Sequence, residues 1–176
     1  MKSKKQLEVK LSQLKPAVSL QAVLEQYTTP LTIAAEVLWF AYMHNDIKGK
    51  VVADLGCGNG ILGLGAGLLG AQMVIFLDSD KASLDIARMN AQSIKIKNVL
   101  FLNYDVSGFK KKVNTVVQNP PFGVQRKHAD KEFLIAAMKF SQSIYSFHKL
   151  ESKEFVEALA SKYNFRLEDV LTFSFN

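Results

Sequence analysis

Leu7, Leu11 and Leu14 recur at helical spacing through a stretch otherwise made of lysines and polar residues. The spacing predicts an amphipathic helix over residues 2–14, ended by Pro16. SLQAVLEQYTTP (19–30) predicts a short helix and a polar turn. LTIAAEVLWFAYMHN (31–45), opened near Pro30 and Thr32, predicts an apolar helix packed on the core. From residue 50 the rhythm changes to short apolar runs separated by helical patterns. Strands are expected in KVVADLG (50–56), MVIFLDSD (73–80), VLFLNYD (99–105), VNTVVQN (113–119) and SIYSFHK (143–149), with FRLEDVLTFSF (165–175) closing the chain. Helices are expected in ILGLGAGLLG (61–70), KASLDIARMNAQSI (81–94), DKEFLIAAMKFSQ (130–142) and SKEFVEALASKY (152–163). Apolar strands alternating with helices predict an α/β fold, with a mostly parallel central sheet and helices on both faces. In such sheets ligands bind outside the carboxyl ends of the strands, so strand ends are where chemistry is expected.

The 176 residues suit one domain, with helices over 1–48 and an α/β core over 49–176. The lysine-rich first twenty residues do not read as a secretory signal, and the glycine-broken apolar stretches are too short to span a bilayer. A single cysteine, Cys57, excludes an internal disulfide framework and any cysteine-built metal cage, and fits a cytoplasmic location. His44, His128 and His148 lack metal-ligand spacing, so no metal site is expected. The formal net charge is +6, with clusters at Lys2, Lys4, Lys5, Lys10 and Lys15, at Lys110 to Lys112, and at Arg126, Lys127 and Lys131. Such a surface suits a polyanion such as nucleic acid, and equally describes a plain solvated face.

ADLGCGNG follows the first strand. Gly56, Gly58 and Gly60 allow a sharp turn and close approach of a ligand, and the next helix begins there with its N–H groups unpaired. Residues 58–63 also fit G-x-G-x-x-G, the dinucleotide fingerprint, but the match sits late against the strand. Asp54 beside the loop would repel a pyrophosphate and welcome an amino group. S-adenosylmethionine, with an amino-acid end and a nucleoside end, suits the loop better. Asp78 ends the second strand, where an acid accepts from both ribose hydroxyls. Asp105 ends the third strand, where a carboxylate can accept from an adenine amino group. Any one of these acids could be a helix N-cap, as could Asp80. Three of them at consecutive strand ends favour a ligand.

VVQNPPFGVQ (116–125) places Asn119, Pro120, Pro121 and Phe122 at the end of the fourth strand, on the same rim. An adenine amino group is a poor nucleophile because its lone pair is delocalised into the ring. The Asn119 side-chain oxygen and the Pro120 carbonyl can accept its two N–H bonds. Pro121 stiffens the turn, and Phe122 offers a stacking face worth ~1–3 kcal/mol. These four residues are the expected catalytic group.

DLGCGNG, the acid of FLDSD, YDV and NPPF together resemble class I S-adenosylmethionine-dependent methyltransferases that act on amino groups. LEQYTTP, VVADLGCGNGIL, NPPFG and IYSFHK are similar to the methyltransferase-like five family of small-subunit ribosomal RNA adenine-N6 methyltransferases, over nearly the whole chain from Leu24. The resemblance implies a Rossmann-like fold whose N-terminal helices form part of a lid. It implies that Gln26 and Thr29 help close over the cofactor, with contacts from Gly56, Asn59, Ile61, Asp78, Asp105 and Val106, and S-adenosylhomocysteine as product. It also implies a closing hairpin, of which this chain carries about one strand's worth. A small zinc-binding activator subunit is implied at the edge of the sheet, here the apolar third strand VLFLNY. The runner-up function is a protein glutamine N5-methyltransferase. A further alternative is a non-catalytic module binding cofactor or RNA, which would be expected to have lost NPPF or the acids.

Overall fold

The computed structural model describes residues 1–16, 29–121 and 129–174. Among the described residues six α-helices are assigned: α1 (Lys4–Leu11), α2 (Leu31–Met43), α3 (Ile61–Leu68), α4 (Lys81–Ser93), α5 (Ala129–Phe140) and α6 (Lys153–Lys162). The same residues hold five strands: β1 (Val51–Leu55), β2 (Met73–Leu77), β3 (Val99–Leu102), β4 (Thr115–Gln118) and β5 (Ser143–Ser146). They form one parallel sheet in the order β3-β2-β1-β4-β5. The chain winds outward from β1 to β3, then returns to the other side of β1 for β4 and β5. The switch point therefore lies between β1 and β4, and both the glycine loop and Asn119 open onto it.

Alternation along the strands sorts the core into two layers. Val52 and Val117 pack with Leu7, Leu11, Ala34 and Leu38, while Val74 and Phe76 pack with Leu64, Leu84 and Ala87. On the opposite face Ala53, Leu55, Ile75, Leu77 and Val116 meet Phe109, Val113, Ala136 and Ala137. The glycines of α3 let it approach closely. A Cβ on Gly63 would stand 2.4 Å from Phe76 Cε1, and one on Gly65 2.3 Å from Leu38 Cδ1. A Gly-rich helix is intrinsically weak, and here that weakness is offset by tight contact with β2 and α2.

Two expectations are corrected. The first helix stops at Leu11, with Leu14 continuing only as a turn bonded to the Leu11 carbonyl. The closing strand does not form: residues 165–174 carry no strand and pair with no neighbour. Val170 and Leu171 stay exposed, and a segment with no ladder partner gains nothing from β-propensity. The helix and turn expected over 19–30 lie mostly outside the described residues, as do Gln26 and Phe122.

Candidate active site

The carboxyl ends of β1, β2, β3 and β4 bring four polar groups to one rim. Asp78, 7% exposed at the end of β2, accepts the Gly58 N–H through Oδ2 and the Asp80 N–H through Oδ1, both at 2.9 Å. The Gly58 bond ties the glycine loop to the second strand. Asn103 reaches across from the end of β3 and donates to the Asp78 and Ser79 carbonyls at 3.0 Å. Asp105 follows it and accepts from Ser107 N at 3.0 Å, capping a 3₁₀ turn that begins at buried Val106. Asp80 is a helix cap, bonded to Ala82 N and to both Ser83 N and Oγ. The capping reading thus holds for Asp80 and for Asp105, while Asp78 faces the loop.

Asp54 lies one layer deeper than a direct contact with an amino group would need. It is 1% exposed, and its Oδ2 accepts the Gly63 N–H at 2.7 Å in the first turn of α3. Burial pushes its carboxyl up to about 7; the Gly63 bond pulls it back and the Asp78 charge pushes it further. Burial likewise raises Asp78, against the pull of its backbone bonds. Burial first, and the nearby charges of Asp54 and Asp78, push the Cys57 thiol well up, so it is no nucleophile.

The loop has the shape of a cradle. Gly58 takes φ +52°, and a Cβ built there would meet nothing within 4 Å, so its backbone faces open space. Gly60, at φ +84°, caps α3, and buried Ile61 opens it. Buried Asn59 accepts from Ile61 N at 3.4 Å and donates to the Lys15 carbonyl at 3.2 Å. A rim of carboxylates beside an accessible glycine backbone fits a ligand with a cationic end and hydroxyls, and disfavours a diphosphate.

Across the switch point, Asn119 follows β4. Its Nδ2 donates to Thr29 Oγ1 at 3.0 Å. Thr29 is buried, Pro120 is buried and Pro121 exposed. The bond anchors the amide: with Nδ2 on the Thr29 hydroxyl, Oδ1 is the end directed away from it. Thr29 and Asn119 are thereby brought together, as are Asp78 and Gly58.

Residues 31–143 match the model of the methyltransferase small domain family. The rRNA N(6)-adenosine-methyltransferase METTL5 of Danio rerio is 36% identical over 173 residues, covering 93% of this chain and 83% of the relative. Its Drosophila melanogaster counterpart is 35% identical over 162 residues, covering 88% and 76%. The chain belongs to the METTL5 family of small-domain methyltransferases. A solved structure from Pyrococcus horikoshii, described as a candidate RNA methyltransferase, superposes with a TM-score of 0.85 at 45% identity, covering 93% of this chain and 83% of that one. The Rossmann-like methyltransferase architecture expected from the sequence is the one observed.

Two features of this methyltransferase escaped the sequence reading. Asn90, 1% exposed on α4, accepts from Lys15 N at 2.8 Å and donates to the carbonyls of Lys15 and Asn59 at 3.1 and 3.0 Å. It clamps the chain after α1 onto the glycine loop. The available signal was an amide among Leu84, Ala87 and Ala91, on the apolar stripe of α4. Beside Asn119, the fully buried Gln118 donates to Ser146 Oγ at 2.9 Å, and that hydroxyl pairs with His148 Nε2 at 2.7 Å. His148 Nδ1 lies 3.9 Å from Asp130 on α5. Burial lowers the His148 pKa, and Asp130 only partly restores it. The neutral ring therefore joins the hydrogen-bonded link between β4 and β5 through Ser146, while Asp130 on α5 stays beyond hydrogen-bond distance.

Proposed function

We propose that this protein transfers a methyl group from S-adenosylmethionine to the N6 amino group of an adenosine in small-subunit ribosomal RNA. The observation that carries the reading is the placement of Asn119 across the switch point from the acid-lined glycine loop, its amide oriented by Thr29. The names of the METTL5 relatives supply the substrate class.

Bound S-adenosylmethionine supplies an electrophilic methyl on a sulfonium sulfur and leaves as S-adenosylhomocysteine. The glycine backbone at Gly56, Gly58 and Gly60, with Asn59 and Ile61, receives its amino-acid end. Asp78 accepts from the ribose hydroxyls, and Asp105 and Val106 flank the adenine. Asp54 acts from beneath, holding α3 and lending its charge when ionised. Asn119 Oδ1 and the Pro120 carbonyl accept the two N–H bonds of the target amine, drawing its lone pair out of the ring. With the amine so held, its nitrogen would be placed to take the methyl that the sulfonium would give up, and its surplus proton would pass to solvent. Positioning is the main contribution, since well-oriented reactants gain up to ~7–11 kcal/mol over free encounter. Gln26 closing over the cofactor and Phe122 stacking on the target base complete the reading.

The same reading places the protein in the cytoplasm, with a small zinc-binding activator subunit on β3. No described helix is long and apolar enough to cross a membrane. The β3 strand is an edge of the sheet, its four apolar residues all half-buried, and such edges are usually covered. A lone protein that is monodisperse and fully active would remove the case for the subunit.

The deciding experiment is methyl transfer from labelled S-adenosylmethionine to unmodified small-subunit rRNA, with and without an activator candidate, read by nucleoside mass spectrometry. An N6-methyladenosine peak is expected. Label in a protein glutamine and none in RNA would overturn the substrate assignment.

A further inference from the structure

The excess positive charge of this protein gathers at one end of the fold. Five connections lead into the amino ends of the strands: residues 44–50, 69–72, 94–98, 109–114 and 141–142. They hold seven lysines (48, 50, 95, 97, 110, 111 and 112) and one aspartate, Asp46. Their net +6 equals the formal charge of the whole chain, so everything else sums to zero. Six of the seven lysines are exposed and Lys50 is half-buried. Asp46 is already engaged, accepting from Tyr145 Oη at 2.6 Å and Ser143 Oγ at 3.0 Å.

The connections form one continuous floor, because backbone hydrogen bonds join neighbours. Val74 N donates to Asn98 O, Gln72 N to Lys50 O, Gly49 N to Gly70 O, Asn114 N to Val51 O and Gln142 N to Asn114 O. A recess of about 330 Å³ opens there, flanked by Lys95, Lys97 and Asn98. Lys112 is held in place by donating to the Lys139 carbonyl at 2.9 Å and lying over the Phe140 ring, and Lys110 and Lys111 are exposed on the approach. A cation beside a helix C-terminus is ordinary, which accounts for Lys95 just past α4. The same reason accounts for Lys112, bonded to the Lys139 carbonyl in the last turn of α5, but not for exposed Lys110 and Lys111.

The opposite end carries Asp54, Asp78, Asp80 and Asp105. Carboxylates there favour a cationic cofactor but repel phosphate. An enzyme acting on a polyanion needs its phosphate contacts elsewhere, because such contacts dominate affinity. We propose that the lysine floor at the amino ends of the strands docks the phosphodiester backbone of the RNA, remote from the base being methylated. This rests on the RNA reading above and adds where the RNA is held.

The test uses the full chain and a labelled, unmodified small-subunit rRNA fragment, with binding followed by fluorescence anisotropy over a salt series from about 50 to about 300 mM. One variant carries Lys95→Ala, Lys97→Ala, Lys110→Ala and Lys111→Ala. A control carries Lys2→Ala, Lys5→Ala, Lys10→Ala and Lys153→Ala, removing the same charge from α1, the residues just before it, and α6. The floor variant is expected to bind RNA roughly tenfold weaker or worse, with a salt slope shallower by ~0.7–0.9 for each phosphate no longer neutralised. Its KM for RNA should rise, while cofactor affinity and kcat at saturating RNA stay as in the wild type. The control should stay within about twofold of the wild type in RNA affinity. Unchanged RNA binding by the floor variant, or equal weakening in both variants, overturns the inference. Retained RNA affinity with impaired action on assembled subunits would assign the floor to a protein partner and also overturn it. A wild-type protein that methylates no RNA would sink the functional reading itself, which is a distinguishable result.

Discussion

The Asn119 side chain donates to the Thr29 hydroxyl at 3.0 Å, joining residues 90 positions apart. Thr29 immediately precedes the N-terminal cap of α2, and Asn119 follows β4, so the two meet only because α2 packs on the β1–β4 side of the sheet. Thr29→Val keeps the shape and removes the acceptor. A net hydrogen bond is worth about 0.5–1.5 kcal/mol, so kcat should fall up to roughly tenfold as the amide loses its fixed orientation. Asn119→Ala should abolish transfer. Both variants should bind S-adenosylmethionine nearly normally by isothermal titration; parallel losses in binding and turnover would make the pair purely structural.

Asp54 makes stability depend on pH in an unusual sense. Its folded pKa of about 7 stands above the ordinary value of ~3.9, so between these values the folded chain holds a proton that the unfolded chain has lost. Its contribution to stability therefore falls as pH rises from about 4 to about 7, and is flat above. Asp54→Asn still offers an acceptor to Gly63 N but cannot ionise. Relative to wild type it should gain stability with rising pH, by up to about 4 kcal/mol above pH 7. Urea unfolding of both proteins at pH 5 and pH 8 measures this; a pH-independent difference would show that Asp54 titrates normally.

The same carboxyl links pH to cofactor binding. A cation bound beside the loop favours ionised Asp54, so wild-type affinity should rise with pH up to about 7 and then level off. The ligand's own titration is common to wild type and Asp54→Asn, so their difference isolates the residue. Identical pH profiles for the two proteins would place the cation away from Asp54.

Asn90→Ala strands Lys15 N and the Asn59 carbonyl, each formerly bonded to the amide. Leaving the buried Asn59 carbonyl unpaired costs about 1–3 kcal/mol, while the Lys15 amide, in an exposed residue, costs less because water can reach it. Because Asn59 belongs to the glycine loop, KM for S-adenosylmethionine should rise by more than kcat falls. A drop in thermal stability with unchanged KM would limit Asn90 to fastening α1.

Gly63→Ala would drive a Cβ to 2.4 Å from Phe76 Cε1 in a packed layer. Overpacking of this kind costs about 1–3 kcal/mol. Phe76→Leu alone should also destabilise, yet the double variant should be more stable than the sum of the two losses implies. Additive losses in thermal melts would mean α3 relaxes away from β2.

The architecture and the rim are legible in the linear pattern of the chain. A strand buried on both faces must be a continuous apolar run, and the first polar residue after it marks its carboxyl end. Asp78 and Asn119 could therefore be placed before any coordinates, with Asn119 to Pro121 on the same side as the glycine loop, whereas Asp105, expected to end the third strand, stands three residues beyond β3, where Asn103 is the first polar residue. The closing strand over 165–175 was misread because β-propensity does not form a strand without a neighbour to pair with. Three-dimensional packing was needed to show that Asp54 lies beneath the loop, that Asn90 grips Lys15 from 75 residues away, and that Thr29 aims the Asn119 amide. It also gathered Lys48, Lys50, Lys95 and Lys97 onto the floor that carries Lys112. In the chain these lysines are scattered, and parallel winding returns every connection to the same end of the sheet. Burial and hydrogen-bond partnership depend on which segments cross in space, and local pattern carries no record of that.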